Sequence, residues 1–202
     1  MLKSKLSEKW GNYAKKDGFS FPKFRKFNLL WFLALFIMFG LMMDLVHEAG
    51  HAIWATVYGG RLTYMQIAYL QIYPRLAINP EFQLGYTKID GLTFGSFAYG
   101  FMLLGGSMTT NLVSWLLALA LIKTSTPYKM RIAVKTLGFF GILDLPLYVV
   151  LPQIGLSHWI ILGGRNPEPL LGARMMNVPD PIFYLLVVVS TFGLIYLYFK
   201  KD

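Results

Sequence analysis

Apolar positions in this chain come in long uncharged runs rather than in short amphipathic stripes, and those runs predict its elements. Leu29 to Met43 carries no charged side chain, and the apolar character continues past a short polar motif to about Tyr58. Roughly twenty residues at about 1.5 Å each cross a hydrocarbon core. A helix over 29–57 is therefore longer than a crossing, and it must tilt or protrude. Gly59-Gly60 is its expected stop. A second uncharged run, Gly91 to Ile122, predicts a span over about 101–122, with glycines at 95, 100, 105 and 106 favouring close helix approach. Thr126 and Pro127 suit the start of a third span, 130–151, in which Pro146 should introduce a kink and which Pro152 should end. A fourth run, 182–199, stops at Lys200-Lys201.

The pattern between the runs is different. Residues 62–73, Leu-Thr-Tyr-Met-Gln-Ile-Ala-Tyr-Leu-Gln-Ile-Tyr, are rich in strand formers, too polar to span, and closed by Pro74. A strand or hairpin at the membrane edge is expected there. The apolar piece 154–162 is too short to cross and suggests a re-entrant or interfacial helix holding His158. Residues 163–181, with four prolines, read as a loop. The fold class that follows is an all-α polytopic membrane protein of about four transmembrane helices, with a short edge strand or hairpin and a re-entrant helix. A basic aromatic arm over 1–28 precedes the membrane domain, 29–202.

Composition sharpens this picture. A 55% hydrophobic and 14% charged chain does not suit a water-soluble globule, which carries about a quarter charged residues. The net charge of +9 is concentrated at the start, where eight basic residues face only Glu8 and Asp17 before residue 29. That charge ends directly against a span. Anionic lipid is accordingly its expected partner, and nucleic acid is not. The first helix contains the motif rather than a cleavage site, so it is expected to be retained. Four crossings put both termini on one side together with Lys123, Lys129 and Arg131, and the positive-inside rule assigns that side to the cytoplasm. Without cysteine, neither disulfides nor thiol chemistry enter.

The candidate chemistry lies near the end of the first span, in His47-Glu48-Ala49-Gly50-His51. Residues four apart on a helix are separated by about 6 Å along the axis and about 40° around it, so both imidazoles can reach one ion. Ionisable groups in a membrane segment are costly and usually functional. The pattern points to zinc bound by His47 and His51, with Glu48 as general base. A catalytic zinc needs a third protein ligand. Asp144 is the acid in the middle of another span, too far from Lys135 or Arg131 to pair along one helix, while His158 is the other candidate. Asp44 shares the face of His47, Glu48 and His51, and either orients a ligand histidine or borders a polar cavity.

These residues resemble the site-2 protease family of intramembrane zinc metalloproteases. The likeness rests on the HExxH helix and on Leu143-Asp144-Leu145, similar to the family's LDG sequence but with leucine for glycine and Pro146 following. By that resemblance His47, His51 and Asp144 are the zinc ligands and Glu48 the base. Gly105-Gly106-Ser107-Met108-Thr109-Thr110-Asn111 resembles a degenerate form of the family's second-helix motif. Asn111 would then bind substrate backbone or an oxyanion, its alternative being a hydrogen bond between helices. The resemblance also implies that the 62–73 strand pairs with an unwound transmembrane or membrane-anchored protein substrate. Two other classes stand beside the endopeptidase: a zinc-dependent hydrolase of a lipid-linked substrate, and a metal-binding membrane scaffold. Glu48 argues against the scaffold, because a structural zinc site is closed by four protein ligands and needs no base.

Overall fold

A computed structural model describes residues 26–160 and 162–200, and the 1–28 arm lies almost wholly outside them. The chain forms two compact units, residues 1–35 and 36–202. Of the first, the described part is the opening of a helix, exposed from Leu29 onward. The second holds everything else.

Helix α1 (Lys26–Val57) ends as its glycines require. Gly59 takes a left-handed φ of 84°, Gly60 N–H donates to the Ala55 carbonyl at 2.9 Å and Gly59 N–H to that of Thr56 at 3.0 Å. This is a Schellman closure, which glycine enters without a Cβ clash. The chain then forms an antiparallel hairpin, β1 (Arg61–Tyr73) and β2 (Ala77–Asp90), running in register from Arg61↔Asp90 to Gln71↔Ala77 with irregular steps around Thr63 and Ala68. Ala68 sits at φ 53°, the mark of a bulge. The buried Gln66 fills that irregularity. Its amide donates to the carbonyls of Ala68 (2.8 Å) and Glu81 (2.6 Å) and accepts from Asn79 (2.8 Å) and the Tyr64 hydroxyl.

Helix α2 (Phe97–Lys123) starts at Ser96, whose hydroxyl accepts from Tyr99 N–H at 3.2 Å. Helix α3 (Tyr128–Val150) carries Pro146 within it and runs into a 3₁₀ turn, Leu151–Ile154. Helices α4 (Glu168–Met175) and α5 (Asp180–Phe199) complete the fold. Two apolar clusters lock the bundle. Leu145 and Val149 of α3 meet Leu170 and Ala173 of α4 and Phe183 and Val187 of α5. Ala118 and Leu121 of α2 meet Ile142 of α3 and Leu194 and Tyr198 of α5.

Four of these helices, over Leu29–Val57, Phe97–Lys123, Met130–Ile154 and Asp180–Phe199, are long and apolar enough to cross a membrane. Large apolar side chains such as Leu185, Val189 and Phe192 remain exposed on α5, as a lipid-facing surface demands. The protein is a polytopic all-α membrane protein with an edge hairpin. Two expectations need correction. The described residues of 155–162 form no re-entrant helix: Gly155 turns left-handed at φ 81°, and isolated bridges pair Ser157 with Ile160 and Trp159 with Leu162. The loop expected over 163–181 contains α4, with Pro169 in its first turn, where a missing N–H costs nothing.

Candidate metal centre

The site begins with a close crossing of α1 over α2 that only glycine permits. A Cβ on Gly50 would stand 2.5 Å from the Gly105 carbonyl, and one on Gly105 would stand 2.6 Å from the Trp54 ring. Trp54 also donates to the Thr109 hydroxyl at 3.1 Å. This approach lays the imidazoles of His47 and His51 against the α2 backbone. Both rings are buried.

Each ring is held by its Nδ1. His51 Nδ1 lies 2.7 Å from the Met102 carbonyl, and His47 Nδ1 lies 2.9 Å from Asp144 Oδ2. A carbonyl can only accept, so His51 donates from Nδ1, and His47 donates from Nδ1 to an ionised Asp144 carboxylate. The Thr110 hydroxyl donates to the same Asp144 oxygen at 2.7 Å, which fixes that carboxylate as acceptor. The two Nε2 atoms face one another at 3.1 Å. Glu168 Oε2 approaches His51 Nε2 to 3.5 Å.

Donor atoms of His47, His51 and Glu168 all lie within 4.8 Å of one another. Donor atoms this close can converge on a single cation. Two imidazole nitrogens and a carboxylate oxygen are the donors that zinc takes in catalytic sites. Gly106 leaves the space: a Cβ there would stand 2.5 Å from both Nε2 atoms. The residues present therefore fit a divalent ion.

Glu48 is buried on the same helix and lines a cavity of about 430 Å³ together with Tyr148, His158 and Glu168. Strand β2 forms one wall of it. Gly85 backs onto the carboxylates of Glu48 and Asp44, where a Cβ would stand 2.8 Å from Asp44 Oδ1 and closer still to Glu48. A second cavity of about 210 Å³ lies beside the first, sharing Leu84 and Leu162 as walls. It is mostly apolar, bounded by Phe36, Phe140 and Trp159, with Asp44 and Asp144 at its polar end. Asp44 thus borders a cavity and does not orient His47, a position that Asp144 occupies. Its Oδ2 has no hydrogen-bond partner among the described residues.

The structure brings His47, Glu48, His51 and Asp144 together but places Asp144 on the far nitrogen of His47 rather than among the converging donor atoms. His158 stays outside the cluster. Its ring stacks on Tyr148 at 3.7 Å, Tyr148 packs against His47 at 4.6 Å, and His158 Nε2 donates to the Asn166 carbonyl at 2.6 Å. Burial holds the His158 imidazole below the usual histidine range, with the Asn166 carbonyl opposing. Asn111 is drawn toward α5, not toward the cavity lined by Glu48. Its amide oxygen accepts from Ser190 at 2.8 Å, and Ser190 in turn accepts from Trp115 at 2.9 Å. That bond joins α2 to α5, while the Asn111 amide nitrogen has no hydrogen-bond partner among the described residues. Sequence reasoning missed Glu168, although a proline directly after an acid is a helix-start signal that marks its position.

Comparison with protein-family models, with curated proteins and with solved structures finds no match.

Proposed function

We propose that the protein is an intramembrane zinc endopeptidase that hydrolyses peptide bonds of transmembrane or membrane-anchored proteins. The observation that carries this reading is the pair of buried imidazoles with Nε2 atoms 3.1 Å apart, grouped with the Glu168 carboxylate, with Glu48 beside them on a cavity. Zinc held by these residues would supply Lewis acidity toward a water and a peptide carbonyl. Glu48 takes the proton from the attacking water and delivers it to the leaving amine nitrogen.

The hairpin supports a peptide substrate in particular. A transmembrane helix hides its peptide bonds, so cleavage requires a locally extended chain whose N–H and C=O groups find new partners. Strand β2 runs past Glu48 at Gly85, and a sheet edge there offers those partners to a substrate strand. The motif and the intramembrane aspartate are those of the site-2 protease family, to which this reading assigns the chain. In the same reading both termini are cytoplasmic and the basic 1–28 arm rests on anionic lipid.

The test is hydrolysis of single-span substrates by the reconstituted protein, wild type against Glu48→Gln, with zinc measured in both. Equal zinc and loss of cleavage in the variant are expected. Zinc retained without Glu48-dependent cleavage of any peptide would refute the protease reading and favour a lipid-linked substrate.

A further inference from the structure

We propose that Glu168, delivered by α4, is the third protein ligand of the metal, and that Asp144 acts on the ion only through His47. This rests on the reading of His47 and His51 as a zinc pair and changes which carboxylate completes it.

Asp144 is already committed. One of its oxygens accepts from His47 Nδ1 at 2.9 Å and from the Thr110 hydroxyl at 2.7 Å. These bonds aim the opposite nitrogen of His47 at His51, and a carboxylate on the non-ligating nitrogen is the usual partner of a metal-bound histidine. To join the converging donor atoms, Asp144 would have to give up the contacts that orient the ring. Among the described residues the Glu168 carboxylate has no hydrogen-bond or ion-pair partner besides His51. Its Oε2 lies 3.5 Å from His51 Nε2, and it is the carboxylate grouped with both histidines inside 4.8 Å.

The fold delivers Glu168 firmly for a residue in the first turn of an eight-residue helix. Gly172 of α4 packs backbone to backbone on α2, so that a Cβ there would stand 2.9 Å from Leu104 N, and one on Gly100 would stand 2.7 Å from the Gly172 carbonyl. Leu170 and Ala173 are sealed into the apolar cluster with Leu145 and Val149. At the other end Arg174 holds Asp180 through two N–H donations of 3.0 and 2.6 Å. Glu168 also lines the cavity that Glu48 lines, which places third ligand and base on one open volume. The site is thereby complete only when α4 is seated.

The experiment uses the purified full chain in detergent, stripped of metal and titrated with zinc against a chromogenic chelator and separately with cobalt(II), whose visible absorption reports its ligands. The variants are Glu168→Gln, Glu168→His and Asp144→Asn, with apo thermal unfolding as the control for folding. Asp144→Asn is expected to weaken zinc binding by roughly 10–100-fold, the usual loss for an outer carboxylate, and to leave the cobalt bands in place. Glu168→Gln should weaken zinc binding by more than that and shift the bands. Glu168→His should restore tight binding with bands moved toward nitrogen ligation. Wild-type affinity and spectrum in Glu168→Gln, or a band shift in Asp144→Asn instead, would overturn the proposal. If the wild type binds zinc and cleaves in a Glu48-dependent way while Glu168→Gln is silent, this inference alone fails. If the wild type binds no zinc, the reading beneath it fails too.

Discussion

Replacing Gly106 by alanine alters no candidate ligand yet should weaken metal binding. The added methyl carbon would lie 2.5 Å from His47 Nε2 and 2.5 Å from His51 Nε2. The methyl would therefore crowd the space that an ion held by both nitrogens would need. Relief requires the rings to swing away, and their Nδ1 anchors on Asp144 and Met102 resist that. Overpacking a dense interior by one methyl costs about 1–3 kcal/mol. Set entirely against metal binding, that is roughly a 5- to 150-fold weaker zinc affinity, at about 1.4 kcal/mol per tenfold. The assay is chelator competition on purified Gly106→Ala protein, with apo thermal unfolding to show that the helix crossing survives. Wild-type zinc affinity in a folded Gly106→Ala protein would refute the claim that the ion sits between the two Nε2 atoms.

Other perturbations separate the remaining roles. Glu48→Gln should retain zinc while cleavage falls by about 10²–10⁴-fold, the usual contribution of a positioned acid–base group; wild-type turnover would remove Glu48 from the chemistry. Gly85→Val should push β2 off Glu48 and Asp44, lowering cleavage with zinc content unchanged, and unimpaired cleavage would show that the strand does not border the working cavity. Asn111→Ala should leave zinc content and the cleavage rate intact and cost about 0.6 kcal/mol of stability, typical of an interhelical hydrogen bond in a membrane, read from thermal unfolding in detergent. A selective loss of kcat would instead put Asn111 on the substrate. His158 is held neutral in the fold, so the unfolded chain binds the extra proton between the depressed folded pKa and the unfolded value near 6.5. Its contribution is present above that value and is lost as pH falls through the folded pKa. Melting curves of wild type and His158→Gln should therefore converge on acidification, and parallel curves would contradict the assignment.

The fold was legible where one physical force dominated. Hydrocarbon solvation alone accounts for the four long apolar helices, and the run Gly91–Ile122 contains α2 almost entirely. The HExxH pair was equally legible, since a four-residue spacing on a helix makes the two rings neighbours whatever surrounds them. Harder to read was anything decided by tertiary contact. Spacing could place Asp144 near His47 but could not say which ring nitrogen it would face; Thr110 and the α1–α3 approach determine that. Helix α4 is too short to be stable alone and exists because Leu170, Gly172 and Ala173 find partners. With it went Glu168, an acid in what looked like a proline-rich loop. Residues 154–162 misled for the opposite reason: they are apolar enough for a helix, but a left-handed Gly155 breaks the chain into turns.

Metal analysis of the intact protein against its single-ligand variants tests the central claim most directly. Purified wild type and Glu48→Gln should each carry one zinc per chain, and His47→Ala and His51→Ala, folded by the same thermal criterion, should carry almost none. Full zinc in either histidine variant, or none in the wild type after zinc is supplied, would mean that the two facing imidazoles serve the fold and not a metal.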